Sequence, residues 1–165
     1  MEEKRIKYPI GIQTFRNIVE GGYLYIDKTG IVHNLAETYK YVFLSRPRRF
    51  GKSLLSSTIH NYFAGDKELF DGLEAGRLKK EWTRHPVFHF DMSTAKHCSE
   101  AELLEELDKK LYNYEQTYGR GEKDININQR FEGLVQRAAE QTGEKAVVII
   151  DEYDAPLLDV MNDQE

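Results

Sequence analysis

Short apolar runs alternate with longer amphipathic stretches along the chain. Tyr41–Leu44, Val87–Met92 and Ala146–Ile150 are nearly continuous apolar segments, rich in β-branched and aromatic residues, and predict strands. Tyr23–Ile26 predicts a shorter one. Ala146–Ile150 is apolar at every position, the pattern of a central strand in a parallel sheet, buried on both faces. Elsewhere the apolar residues return every three or four positions. Leu54, Leu55, Ile59, Tyr62 and Phe63 predict a helix closed by Gly65. Leu103, Leu104, Leu107, Leu111, Tyr114 and Tyr118 predict a second, opened by a capping box of Ser99 and Glu102 and stopped at Gly119. Phe131, Leu134, Val135, Ala138 and Ala139 predict a third, ending near Gly143. Two shorter helices precede these. One follows Thr14, carries Phe15, Ile18 and Val19, and stops at Gly21-Gly22. The other follows Asp27-Lys28-Thr29 and carries Ile31, Val32, Leu35 and Ala36. Residues 66–86 read as a mixed connector.

Two of the predicted strands end in chemistry. Tyr41–Leu44 runs into Ser45-Arg46-Pro47-Arg48-Arg49-Phe50-Gly51-Lys52-Ser53-Leu54, a basic turn followed by Gly-Lys-Ser and a helix. A loop at a helix start offers backbone amides and positive potential to a phosphate, and glycine is needed where backbone meets phosphate. This is the build of a phosphate-binding P-loop (Walker A). Gly51 takes the close approach, Lys52 reaches the β- and γ-phosphates of ATP, and Ser53 ligates Mg²⁺. The pattern G-x-x-x-x-G-K-[ST] departs at its first position, where Arg46 stands. Arginines in this turn can add charge-assisted hydrogen bonds to phosphate. The alternative reading of the segment is a basic turn between a strand and a helix.

Val147–Ile150 ends in Asp151-Glu152, the pattern of a Walker B strand. Sites of open α/β sheets gather at the C-terminal ends of the strands. Asp151 is expected to hold Mg²⁺, and Glu152 to polarise the attacking water as general base. Asp154 is read as a cap near Pro156. The alternative reading of this acidic pair is a solvated strand end. Strands alternating with helices predict an α/β fold, a three-layer P-loop sandwich with a mainly parallel sheet. Residues 1–40 are expected to pack on a core of residues 41–165. In the additional-strand class of such ATPases a further strand follows the acidic one, so the core is expected to be incomplete at its C-terminus.

Composition narrows the picture. The 165 residues suffice for one domain with its own core, and a net charge of −5 gives no argument for bulk binding to nucleic acid or acidic membranes. The single cysteine, Cys98, excludes an internal disulfide and fits a reducing, cytoplasmic setting. No apolar run is long enough to cross a membrane as a helix. His85, His89, Asp91, His97 and Cys98 lie close in sequence but lack the spacing of metal motifs, and read as packed or surface side chains.

The residues Tyr8-Pro9-Ile10-Gly11-Ile12-Gln13-Thr14-Phe15, Tyr25-Ile26-Asp27-Lys28-Thr29, Phe43–Leu55, Tyr62-Phe63-Ala64-Gly65 and Val148–Leu157 together resemble the bacterial AAA-ATPase-like family. The resemblance implies a Mg-dependent ATPase core in which Arg46 is the family's own form of the loop. It also implies longer members that often end in a domain similar to PD-(D/E)XK nucleases. A homo-oligomer supplying arginine fingers fits such a core, and a nucleic-acid partner stays open. A nucleotide-gated module without turnover is the alternative activity, and an inactive fragment of a larger ATPase the third. Asp27 or Lys28 either borders the nucleotide or, the simpler reading, Asp27 caps the helix that follows.

Overall fold

The computed structural model describes residues 6–45, 47, 50–93 and 100–153. They form two compact units, divided between Arg84 and His85.

The first unit is helical. Its elements are α1 (Phe15–Glu20), α2 (Thr29–Thr38), α3 (Lys52–Phe63), a 3₁₀ turn (Lys67–Phe70) and α4 (Glu74–Leu78). Its core gathers Phe15, Val32, Tyr62, Leu69, Phe70 and Ala75, with Leu54, Leu55, Ile59 and Trp82 packed around them. Aromatic rings dominate it: Phe70 stands 4.9 Å from both Phe15 and Trp82, and Tyr62 lies 5.5 Å from Trp82. Lys79 lays its ammonium 3.8 Å from the Tyr62 ring centre, a cation–π contact. Ile31 departs from its predicted place and is exposed, while Val32 beside it is buried. The predicted connector holds the 3₁₀ turn and α4. It was opaque to periodicity because neither element is long enough to show one.

Two predicted strands are absent from this unit. Tyr41–Ser45 has no regular structure, and Tyr41, Val42 and Phe43 are 82%, 52% and 74% exposed. Tyr23–Ile26 contributes only an isolated bridge, from Tyr23 to Lys7. Apolar, β-branched composition favours a strand, but a strand exists only where a neighbour takes its backbone groups. Among the described residues neither segment has such a ladder.

The second unit is a β-α-α-β arrangement of β1 (Val87–Asp91), α5 (Glu100–Tyr118), α6 (Ile127–Thr142) and β2 (Val147–Asp151). β1 and β2 pair in parallel, Val87 beside Val147 through to Asp91 beside Asp151. This gives an α/β unit with a two-stranded sheet among the described residues, smaller than the sandwich expected. Phe88 and Phe90 are buried with Met92, Leu111, Leu134 and Ala138. The Tyr114 and Phe88 rings meet at nearly a right angle, their centres 5.0 Å apart. Leu104 falls off the buried stripe of α5 and is 44% exposed. The Ser99 cap lies outside the described residues. α6 is closed at both ends: the Asn126 side chain accepts the Gln129 N–H, the Gln129 side chain accepts the Asn126 N–H, and Gly143 adopts the left-handed conformation at φ 71°. β2 is not buried on both faces as predicted, because Val148 and Ile150 are exposed.

Ion pairs of Arg130 join α6 to α5. Arg130 and Glu115 are both buried, and the guanidinium donates through Nε and Nη2 to the two carboxylate oxygens at 2.8 and 2.9 Å. A third donor, Nη1, reaches Asp108. The hydrogen bonds to Glu115 and Asp108 raise the Arg130 pKa further above its ordinary value, so the guanidinium stays charged.

Candidate nucleotide site

The helix start predicted from Gly-Lys-Ser is present. Gly51 sits at φ 76°, ψ 27°, a left-handed conformation that glycine adopts without steric cost, and a Cβ built there would meet nothing within 4 Å. α3 begins at Lys52. Its first backbone bond runs from Leu55 N–H to Gly51 O at 3.0 Å, and the cap residue, a glycine, brings no side chain to the start. The first-turn amides of a helix point out along its axis, which makes such a start a natural cradle for an anion. Lys52 and Ser53 are half-buried in that first turn, Leu54 packs against the aromatic core, and Phe50 is exposed just ahead of the glycine. Pro47 has no regular structure. Arg46, Arg48 and Arg49 lie outside the described residues.

The rest of the unit holds α3 in place. The Phe15 N–H at the start of α1 donates to Ser57 Oγ at 2.7 Å, and Arg16 donates to Asp66 at 2.7 Å beyond the end of α3.

Asp27 takes the capping role. Its Oδ1 accepts the Thr29 N–H and hydroxyl at 2.9 and 2.7 Å, and its Oδ2 accepts the Glu74 N–H at 2.7 Å. Thr29, fully buried, in turn accepts the Ala75 N–H at 2.9 Å. Both carboxylate oxygens are therefore committed to the starts of α2 and α4. Partial burial opposes ionisation, but the hydrogen bonds from Thr29 and Glu74 prevail and hold the Asp27 carboxyl below its ordinary range. Asp27→Ala is expected to cost about 1 kcal/mol of stability, the usual worth of a cap, while Mg-ATP affinity stays as in wild type. Thermal melts beside a nucleotide titration check it; a lost affinity with an unchanged melt would place Asp27 at the ligand instead. The lowered pKa fixes the sign with pH: this stabilisation is present above the unfolded carboxyl pKa and disappears as pH falls through the lower folded value.

The acidic motif belongs to the second unit. Asp151 closes β2, is 7% exposed, and its Oδ1 accepts the Glu152 N–H at 3.0 Å. Its carbonyl accepts the Met92 N–H at 2.9 Å, which locks the ends of the two strands together. Glu152 follows in a left-handed conformation at φ 53°, uncommon for a residue with a side chain and a mark of strain held by its surroundings. The register sets Asp91 directly beside Asp151, a neighbour that sequence spacing had no means of revealing. Asp91 Oδ1 accepts the Ser93 N–H at 2.8 Å. His89 precedes Asp91 on the same face; burial lowers its pKa against the pull of Asp151 and Asp91, so the imidazole is neutral near pH 7. Among the described residues no three His, Cys, Asp or Glu side chains cluster as a metal site requires. His97, Cys98 and Asp154 lie outside them. No helix among the described residues is long and apolar enough to cross a membrane.

A glycine-led helix start bearing Lys-Ser thus stands in the first unit, and a buried aspartate closes a parallel strand in the second. The chain belongs to the AAA-ATPase-like family, described as predicted AAA-ATPases, whose model matches residues 9–165. It is also similar to an Azotobacter chroococcum mcd 1 protein described as "Uncharacterized protein in vnfD 5'region", 41% identical over 157 residues. That match covers 94% of this chain and 30% of the relative, so the chain spans under a third of the curated protein it matches. No solved structure matches it.

Proposed function

We propose that this chain carries the nucleotide-binding machinery of a Mg-dependent ATPase, a hydrolase of the ATP phosphoanhydride bond. The observation that carries the reading is Gly51, left-handed and open on its Cβ side, at the head of a helix whose first residues are Lys52 and Ser53. In this reading the amides of the α3 start and the Lys52 ammonium hold the phosphates and Ser53 supports Mg²⁺; the acidic sequence pattern gives Asp151 a metal role of its own. By sequence the loop segment also takes in Arg46, Pro47, Arg48, Arg49, Phe50 and Leu54. Glu152 orients water toward the γ-phosphate, and its strained backbone fits a side chain held for direction rather than stability. The test is Mg-ATP calorimetry on the chain, followed by phosphate release. Glu152→Gln is expected to bind Mg-ATP within about threefold of wild type and to lose turnover by about 100-fold or more, the typical worth of a general base. Tight binding with no phosphate release in wild type favours the nucleotide-gated module, which the same helix start would serve. Family membership and the longer relative leave a nuclease-like domain, nucleic acid and arginine fingers from a neighbouring subunit as partners to be tested on the full-length protein.

A further inference from the structure

The chain ahead of α1 is held at both ends. At one end the Leu24 N–H donates to Lys7 O at 2.7 Å, next to the isolated bridge between Lys7 and Tyr23. At the other the Phe15 N–H donates to Ser57 Oγ on α3 at 2.7 Å. Between these anchors the backbone turns, Ile10 N–H bonding Tyr8 O at 2.9 Å and Ile12 N–H bonding Pro9 O at 3.4 Å, with Gly11 left-handed at φ 74°. Thr14 is extended at φ −104°, ψ 131°. Residues 8–14 thus form a tethered loop. The helix period decides where it lies. Ser53, Ser57 and Asn61 recur at the spacing that puts them on one face of α3. Arg16 reaches the far part of that face, donating to Asn61 Oδ1 at 3.4 Å and to Asp66 Oδ2 at 2.7 Å. Phe15 meets its middle, at Ser57. α1 therefore leaves Ser57 toward the C-terminal end of α3, and the chain before Phe15 arrives from the side of Ser53 and Gly51. Ser57 lies about 9 Å along the helix from Gly51. Gln13 lies about 7 Å of extended chain back from Phe15, and its side chain is exposed.

We propose that Gln13 reads the base of the nucleotide whose phosphates the α3 start holds, and that the base is adenine. The inference rests on the phosphate-loop reading above and adds to it the choice of base. A glutamine amide carries an acceptor, Oε1, beside a donor group, Nε2. Adenine presents the matching pair on one edge, the N6 amino donor beside the N7 acceptor, and the two groups meet in a bidentate contact. Guanine presents two acceptors there, O6 and N7, and sets one of them against Oε1. Ser57 is a positioning residue. Its hydroxyl fixes where the loop crosses α3 and does not itself meet the base.

Calorimetry with Mg-ATP, Mg-GTP and Mg-tripolyphosphate, the last a phosphate chain without a base, is the test. Wild type is expected to bind ATP about tenfold or more tighter than GTP, the discrimination of one bidentate contact. Gln13→Ala is expected to weaken ATP binding by about tenfold or more, to bring ATP and GTP together, and to bind tripolyphosphate as wild type does. That retained binding is the control for an intact fold. Ser57→Ala is expected to lower the preference for ATP over tripolyphosphate in the same direction, and Ser57→Thr, which keeps the hydroxyl, to restore it. Lys52→Ala weakens all three ligands, so the base and the phosphate loop are tested apart. The assignment is overturned, with the phosphate loop left standing, by a wild type that binds ATP and GTP alike. It is equally overturned by a Gln13→Ala chain that holds ATP as wild type does or loses tripolyphosphate in step with ATP. A wild type that binds none of the three overturns both readings.

Discussion

Lys52→Ala is expected to weaken Mg-ATP binding by about 100-fold or more while leaving the fold intact. A charge-assisted hydrogen bond is worth about 1.5–3 kcal/mol, and each 1.4 kcal/mol is tenfold in affinity. A lysine that reaches two phosphates therefore accounts for at least two decades. The structural side of the prediction rests on placement. Lys52 is the first residue of α3, where alanine is at least as good a helix former as lysine, and Gly51 supplies the left-handed turn ahead of it. Calorimetry on wild type and variant, beside their melting curves, separates the outcomes. An affinity unchanged by the substitution would sink the phosphate-loop reading and leave Gly51-Lys52-Ser53 as a basic helix start. Because the cradle also uses backbone amides, residual weak binding of inorganic phosphate is compatible with the reading, and retained millimolar-free, tight ATP binding is not.

The largest expected effect on stability lies elsewhere. Arg130→Met is expected to destabilise the second unit by about 3–5 kcal/mol, because it leaves the buried Glu115 carboxylate without its partner. Methionine keeps much of the apolar stem, so lost packing contributes little. The double substitution Arg130→Met with Glu115→Leu removes both charges together and is expected to recover most of the loss. Urea denaturation of the three chains checks the pair. A single variant within about 1 kcal/mol of wild type would mean that water reaches Glu115 and that the bidentate contact does little for the fold.

The helices were legible because their evidence is local. Leu107, Leu111, Tyr114 and Tyr118 repeat along one face, and Gly119 and Gly143 mark stops with left-handed backbone. The parallel direction of the sheet was legible as well, since helices separate its strands in sequence; which strands are neighbours was not. What failed was non-local. Tyr41–Leu44 looks like a strand by composition, yet composition cannot supply the neighbour that a strand needs. Arg130 reads as one more polar position of α6, and only packing against α5 turns it inward to Glu115. At the candidate site, the glycine-led helix start and the aspartate at a strand end were both readable. The register that places Asp91 beside Asp151, and the left-handed backbone of Glu152, were not, because neither leaves a mark on spacing. Asp27 falls between these cases. Its bond to Thr29 spans two residues and was anticipated as a cap; its bond to Glu74 spans 47 and was not.

That second bond bears on how the segment can vary. Asp27 and Thr29 reach α4 through the N–H groups of Glu74 and Ala75, which every residue but proline supplies. As far as these two bonds go, the side chain at position 74 can drift while the tie persists. The tie is broken instead by a proline there, or by an insertion or deletion that shifts the start of α4 along the chain. The short Tyr-Ile-Asp-Lys-Thr motif thus measures distance: it tolerates a change of spelling at its far end and not a change of length between.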